Sequence, residues 1–189
     1  MGRAFLPAWH CHNPVVATIT EITCPPAYDV PMIRLRPGPY DYRRKLPHYQ
    51  KFDRPLFVTF CKRTKDPLSP AARSLVLDHC LKGNGRTMHL HAAVIMPEHV
   101  HLLLTPMRNA EGWPFPLKDI LKLIKGPSAR HINMLTGASG ALWQDESFDH
   151  VLRSNESFKQ KVEYIRQNPI RRGLAASPGE YPWLWVEPC

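Results

Sequence analysis

The chain has 189 residues, an apolar fraction of 43% and a net charge of +9, which suits one soluble domain with a single buried core. No run of about 18 apolar residues is available to span a membrane, and the first residues lack the apolar stretch and small-residue cleavage site of a secretory leader. The five cysteines are odd in number and contain no C-x-x-C pair, so they read as free thiols, and a cytoplasmic location is expected.

Residues 1–45 carry prolines at 7, 14, 25, 26, 31, 37 and 39 and no sustained periodicity, the pattern of an irregular arm. His10, Cys11, His12 and Cys24 match no structural zinc spacing. Charge then concentrates. Residues 34–65 hold ten Lys/Arg against two Asp, a net +8, interleaved with Tyr40, Tyr42, Tyr49 and Phe52. Such a block reads either as a solvated lead-in or as a phosphate-contacting segment. In the second case Arg43 and Arg44 are its DNA-binding residues.

From Arg54 the pattern becomes regular, and a folded domain is expected over 46–185. Pro55–Cys61 is rich in β-branched and aromatic residues, as in a strand. Ser69-Pro70 opens a helix, with serine as N-cap and proline at the first helical position, and Gly83 closes it. Thr87–Met96 and His99–Thr105 read as two strands joined by a tight Pro97-Glu98 turn. A two-residue hairpin would pair Met96 with His99 and Val94 with His101. Strict alternation then puts His89 and His91 on the opposite face from His99 and His101, as structural or exposed residues. Pro116–Lys125 is amphipathic, and Gly126-Pro127 is expected to interrupt it before a further helical piece to about Leu135. Phe148–Arg153 reads as a fourth strand. A last helix, capped by Ser154 or Asn155, is expected to stop near Gln167, ahead of Pro169. The order β-α-β-β-α-β plus a helix predicts an α+β, ferredoxin-like antiparallel sheet with an added C-terminal helix.

Two features carry chemistry. In a strand His99 and His101 project to one side, roughly 6–7 Å apart at Cα, so two neutral imidazoles can share one divalent cation. The pair is equally compatible with ordinary strand histidines whose ring nitrogens are satisfied. On the last helix Phe158, Val162 and Ile165 form the stripe that packs on the sheet. Tyr164 and Asn168, four apart, share another face with Gln160 and Lys161. By themselves these two also read as a core-capping tyrosine and a helix C-cap.

Met96-Pro97-Glu98-His99-Val100-His101-Leu102-Leu103-Leu104 resembles the HUH motif of the single-tyrosine transposases, which cut and rejoin single-stranded DNA. Ile124-Lys125-Gly126, Trp143-Gln144, Phe148-Asp149-His150-Val151-Leu152-Arg153 and Tyr164-Ile165-x-x-Asn168-Pro169-x-x-x-Gly173-Leu174 follow in that family's order. The likeness is greatest to the branch associated with repetitive extragenic palindromes (REP), and it runs from about Leu46 to Trp183.

The resemblance implies that Tyr164 is the nucleophile, with His99, His101 and the side-chain oxygen of Asn168 as metal ligands. Glu98 fills a variable turn position and gains no catalytic role. Lys125, Lys122, Arg130 and Lys161 are the expected DNA contacts within the domain, the Trp143-Gln144 pair is a further one, and Trp143 reads equally as a core aromatic. The implied cofactor is Mg²⁺ or Mn²⁺, although nitrogen ligands alone suit Mn²⁺ or Zn²⁺ better than Mg²⁺. The implied substrate is single-stranded or hairpin DNA, at the bacterial nucleoid, handled by a monomer or a homodimer. Two alternatives remain: a hairpin-binding relative that no longer cuts, and an unrelated metal-dependent hydrolase built on His99 and His101.

Overall fold

A computed structural model describes residues 54–188; the expectations for residues 1–53, Arg43 and Arg44 among them, lie outside the described residues. Strand β1 (Leu56–Cys61) leads to helix α1 (Pro70–Gly83), followed by β2 (Met88–Ile95), β3 (His99–Pro106), α2 (Leu117–Thr136), β4 (Phe148–Val151), α3 (Asn155–Arg171) and β5 (Leu184–Val186). The fold is mixed α/β, with three helices and a five-stranded sheet of order β4-β1-β3-β2-β5. Every pairing is antiparallel. β3 is the middle strand, flanked by β1 and β2, so both histidines of the His-x-His pair stand at the centre of the sheet.

The β2–β3 hairpin has the expected register. Val94 lies opposite His101 and Ile95 opposite Val100, and the Met96 N–H donates to the His99 carbonyl at 2.8 Å. Alternation sorts the strands onto two cores. Leu56, Val58, Phe60, Val100, Leu102 and Leu104 face one side, beneath α1 and α2. Phe57, Val94, Met96 and Leu103 face the other, beneath Phe158, Val162 and Ile165 of α3.

The helix starts follow their caps. Ser69 Oγ accepts the Ala72 N–H at 3.2 Å, and Ser154 Oγ accepts the Ser157 N–H at 3.1 Å. Two helix interruptions expected at prolines do not occur. α2 runs unbroken through Pro127, burying Leu117, Ile120, Leu121 and Ile124 before it and Ile132 beyond. An internal proline costs about 3 kcal/mol, whereas each fully buried aliphatic side chain contributes roughly 1.5–3 kcal/mol, so packing wins. α3 likewise passes Pro169 and ends at Arg171. Its stop is a Schellman motif: Gly173, at φ 64°, donates to Ile170 and Leu174 donates to Pro169, both at 2.9 Å. Asn168 is therefore inside the helix, not its C-cap.

Candidate functional site

β1, β3 and α3 bring one cluster together on the sheet face that α3 covers. The His99 and His101 rings lie 4.6 Å apart at 67°. Tyr164 sits edge-on to His101 with ring centroids 5.4 Å apart. Phe57, next to His101 on the central strand pair, stacks on it at 5.3 Å and meets Tyr164 edge-on at 5.7 Å. These three rings fix one another's orientation, because each is an immediate neighbour of the other two.

Strand pairing sets the imidazole chemistry. Thr59 is directly across from His101 in the β1–β3 register, and its Oγ1 lies 2.7 Å from His101 Nδ1. With Nδ1–H donating to Thr59, Nε2 keeps its lone pair for a cation. Burial, reinforced by His99 and Lys161, drives the His101 pKa down to about 3. Burial also lowers that of His99, with Glu98 opposing and Arg172 assisting. Both rings are accordingly neutral at pH 7, as metal binding requires.

Cationic groups ring the tyrosine. Lys161 Nζ is 4.6 Å from the Phe57 centroid and 5.3 Å from that of Tyr164, and Arg171 Cζ is 5.4 Å from the Tyr164 centroid. Asn168, one turn past Tyr164, is 7% exposed. Glu98 Oε1 pairs with Arg172, while Glu98 Oε2 is buried without a hydrogen-bond partner among the described residues. His99 and His101 are two neutral imidazole donors of the kind a divalent cation takes, and among the described residues no third His, Cys, Asp or Glu joins them at ligating distance.

No family model matches the chain. A REP-associated tyrosine transposase of Escherichia coli (strain K12) is 24% identical over 100 residues, 52% of this chain and 54% of that protein. A Haemophilus influenzae protein described, provisionally, in the same terms is 22% identical over 97 residues, 49% of this chain and 55% of that one. A solved REP-associated tyrosine transposase bound to a REP hairpin superposes with a TM-score of 0.61, at 20% identity over 75% of this chain and 81% of that chain. The chain resembles the REP-associated tyrosine transposases. It does so in sequence and, independently, in fold, and it spans about half the length of the curated relatives it matches.

The remaining expected DNA contacts divide. Lys161 stands at the cluster. Lys122 and Arg130 are exposed on α2, which packs against α1 beneath the opposite sheet face. Lys125 donates to the Gln144 and Asp145 carbonyls at 2.6 and 3.2 Å, tying α2 to the loop before β4. Trp143 is a core aromatic: it is 4% exposed, edge-on to Phe60 at 5.0 Å, and its indole N–H donates to Ser128 Oγ at 3.0 Å.

His89 and His91 require a correction. A β-bulge between Leu90 and Ala92 shifts the β2–β3 register, so His91 and Ala92 both face α3. His91 meets Phe158 of that helix at 5.0 Å and Thr105 Oγ1 at 2.9 Å. All four histidines thus share one sheet face. His101 and Thr105, the partner of His89, are still four positions apart along β3, or about 13 Å at strand rise, so one cation cannot serve both pairs.

Thr59 and Phe57 were not legible as site residues from sequence. Their only signal is parity: both are odd-numbered members of the β1 run, and the β1–β3 register turns that parity towards His101.

Among the described residues no helix is long and apolar enough to cross a membrane.

Proposed function

We propose that this chain is a metal-dependent single-stranded DNA endonuclease and strand transferase that acts through a 5′-phosphotyrosine intermediate on hairpin DNA. The observation that carries the proposal is the 5.4 Å approach of the Tyr164 ring to His101, itself 4.6 Å from His99. A nucleophile and a paired-imidazole cation site then address the same phosphate. The β1-to-β4 portion is read as the ferredoxin-like core, with α3 as the tyrosine-bearing addition.

His99 Nε2 or Nδ1, His101 Nε2 and the Asn168 side-chain oxygen would hold Mg²⁺ or Mn²⁺. A cation bound there supplies charge to polarise the scissile phosphate. The protein supplies the rest. Thr59 keeps His101 in one tautomer, and Phe57 holds the His101 and Tyr164 rings at a fixed angle, so the phenolic oxygen is pre-positioned. Lys161 and Arg171 offer positive charge to the phosphate oxygens beside that ring. As the Tyr164 oxygen bonds to phosphorus, the phenolic proton is released and the bond from phosphorus to the 3′ oxygen breaks. A 3′ hydroxyl leaves, and the 5′ phosphate stays on the protein. The phosphotyrosine conserves the bond energy, so a 3′ hydroxyl can later attack and rejoin strands without a nucleotide cofactor. A stacked duplex hinders such in-line access, which favours single-stranded DNA flanking a hairpin stem. Lys122, Lys125, Arg130, Arg43 and Arg44 are the proposed contacts outside the cluster, and the bacterial cytoplasm is the proposed place of action.

The test is to incubate the protein with hairpin oligonucleotides and Mn²⁺ or Mg²⁺ and to look for an SDS-resistant protein–DNA adduct. The expected adduct forms only with metal and disappears in Tyr164→Phe. Hairpin binding without an adduct in either metal would overturn cutting in favour of a binding-only protein. Metal-dependent hydrolysis that survives Tyr164→Phe would point to a hydrolase centred on the histidines.

A further inference from the structure

The bulge in β2 builds a second constellation that the proposed cutting reaction does not use. It turns His89 and His91 together to the face that α3 covers, where their rings lie 4.5 Å apart, tilted by 41°. Glu187, immediately after β5, is delivered to the same spot by the backbone, because its N–H donates to the His91 carbonyl at 2.9 Å. The carboxylate reaches both rings: His89 Nε2 is 2.8 Å from Oε1 and 2.9 Å from Oε2, and His91 Nδ1 is 3.4 Å from Oε2. One donor atom from each residue lies within 4.8 Å of the other two.

We propose that His89, His91 and Glu187 form a second divalent-metal site, suited to Zn²⁺ over Mg²⁺, that clamps the C-terminal strand to the edge of the sheet. Two imidazole nitrogens and one carboxylate oxygen are a borderline donor set that favours Zn²⁺, whereas Mg²⁺ demands an oxygen-rich octahedron. In a tetrahedral zinc site with bonds of about 2.0–2.1 Å, donor atoms stand roughly 3.3 Å apart. Small side-chain rotations bring these three to that spacing.

A supporting partner is already in position. His91 Nε2 is 2.9 Å from Thr105 Oγ1 on β3; with Nε2–H donating there, Nδ1, which faces Glu187 Oε2 at 3.4 Å, would offer its lone pair to a cation, as zinc-bound histidines held by outer partners do. The His89 and Glu187 side chains are 46% and 41% exposed, which provides an entry path and room for a fourth, solvent ligand. β5 is only three residues long and joins the sheet at its edge through β2 alone. A metal bridge from β2 to the residue that follows β5 would therefore stabilise the shortest pairing in the sheet.

The site stands apart from the cutting reaction, so the test separates the two. Full-length protein is stripped with chelator and titrated with Zn²⁺ alone by calorimetry and with Co²⁺ alone by visible absorption. Wild type is compared with Glu187→Gln and with His89→Gln, and each variant is checked by circular dichroism. The expected result is one Zn²⁺ fewer per chain in either variant than in wild type, loss of the tetrahedral Co²⁺ bands they remove, and an unchanged difference when His99→Ala/His101→Ala is the background. Taking differences cancels any metal held elsewhere in the chain. Zn²⁺ but not Mg²⁺ should also slow amide exchange over residues 184–186, a readout that needs no variant. Thr105→Val should weaken the site by about 10–100-fold without abolishing it. Equal Zn²⁺ stoichiometry in wild type, Glu187→Gln and His89→Gln, or exchange over 184–186 that Zn²⁺ leaves unchanged, would overturn the proposal.

Discussion

Thr59 and His101 face each other across the central strand pair, with Oγ1 2.7 Å from Nδ1. Because the register fixes this contact, it decides which ring nitrogen of His101 is left to bind a cation. Thr59→Val keeps the β-branched shape and removes the acceptor, so the ring regains a choice of tautomer. Loss of such an outer partner lowers metal affinity by about 10–100-fold. Calorimetric titration with Mn²⁺ should show this drop in a chain whose thermal stability changes little, and an unchanged affinity would remove Thr59 from the site.

Ser128 and Trp143 form a buried pair on the other sheet face, with the indole N–H donating to Oγ at 3.0 Å. Ser128 is fully buried, so Ser128→Ala leaves the indole donor without water or a partner. The expected cost is about 1–3 kcal/mol in urea unfolding. Hairpin affinity of the folded variant should match wild type. A variant with full stability and weakened hairpin binding would instead make Trp143 a DNA contact.

Alternation made the β2–β3 hairpin legible, because its signals are local: apolar runs on both sides of a two-residue turn. The same logic failed at His91. A bulge changes neither composition nor spacing, so the strict alternation that placed His99 and His101 correctly put His89 and His91 on the wrong face. Pro127 and Pro169 misled for a different reason. Local propensity argued for a break at each, and tertiary burial along α2 and the Schellman closure at Gly173 outweighed it. β5 was illegible since three residues are too few to show a period. Tyr164 stood out only through the transposase resemblance, because its own helix periodicity fits a core residue equally well.

Tyr164 meets His101 of its own chain, so both halves of the proposed site lie in one chain. This bears on whether two subunits must exchange the tyrosine helix. Mixing Tyr164→Phe protein with His99→Ala/His101→Ala protein should give no covalent hairpin adduct, since neither chain has both halves. Adduct formation in the mixture, on the chain that retains Tyr164, would establish a shared site between subunits.

His79 of α1 and His131 of α2 stack with centroids 5.1 Å apart, and Nε2 of one lies 3.0 Å from Nδ1 of the other. A single hydrogen fits between those nitrogens, so one ring must accept. Burial, then the neighbouring His131 and Lys82, holds the His79 pKa below the ordinary imidazole range, with Asp78 opposing. The folded chain therefore binds fewer protons at this site than the unfolded chain, and stability rises with pH across the window. That contribution is complete above the unfolded value near 6.5 and is lost as pH falls through the folded one. Other depressed histidines add to the total slope, so the informative quantity is the difference from His79→Gln. Melting curves between about pH 8 and about pH 5 should show wild type losing more Tm than the variant on acidification. Parallel Tm profiles would mean that the α1–α2 contact is indifferent to the protonation of this pair.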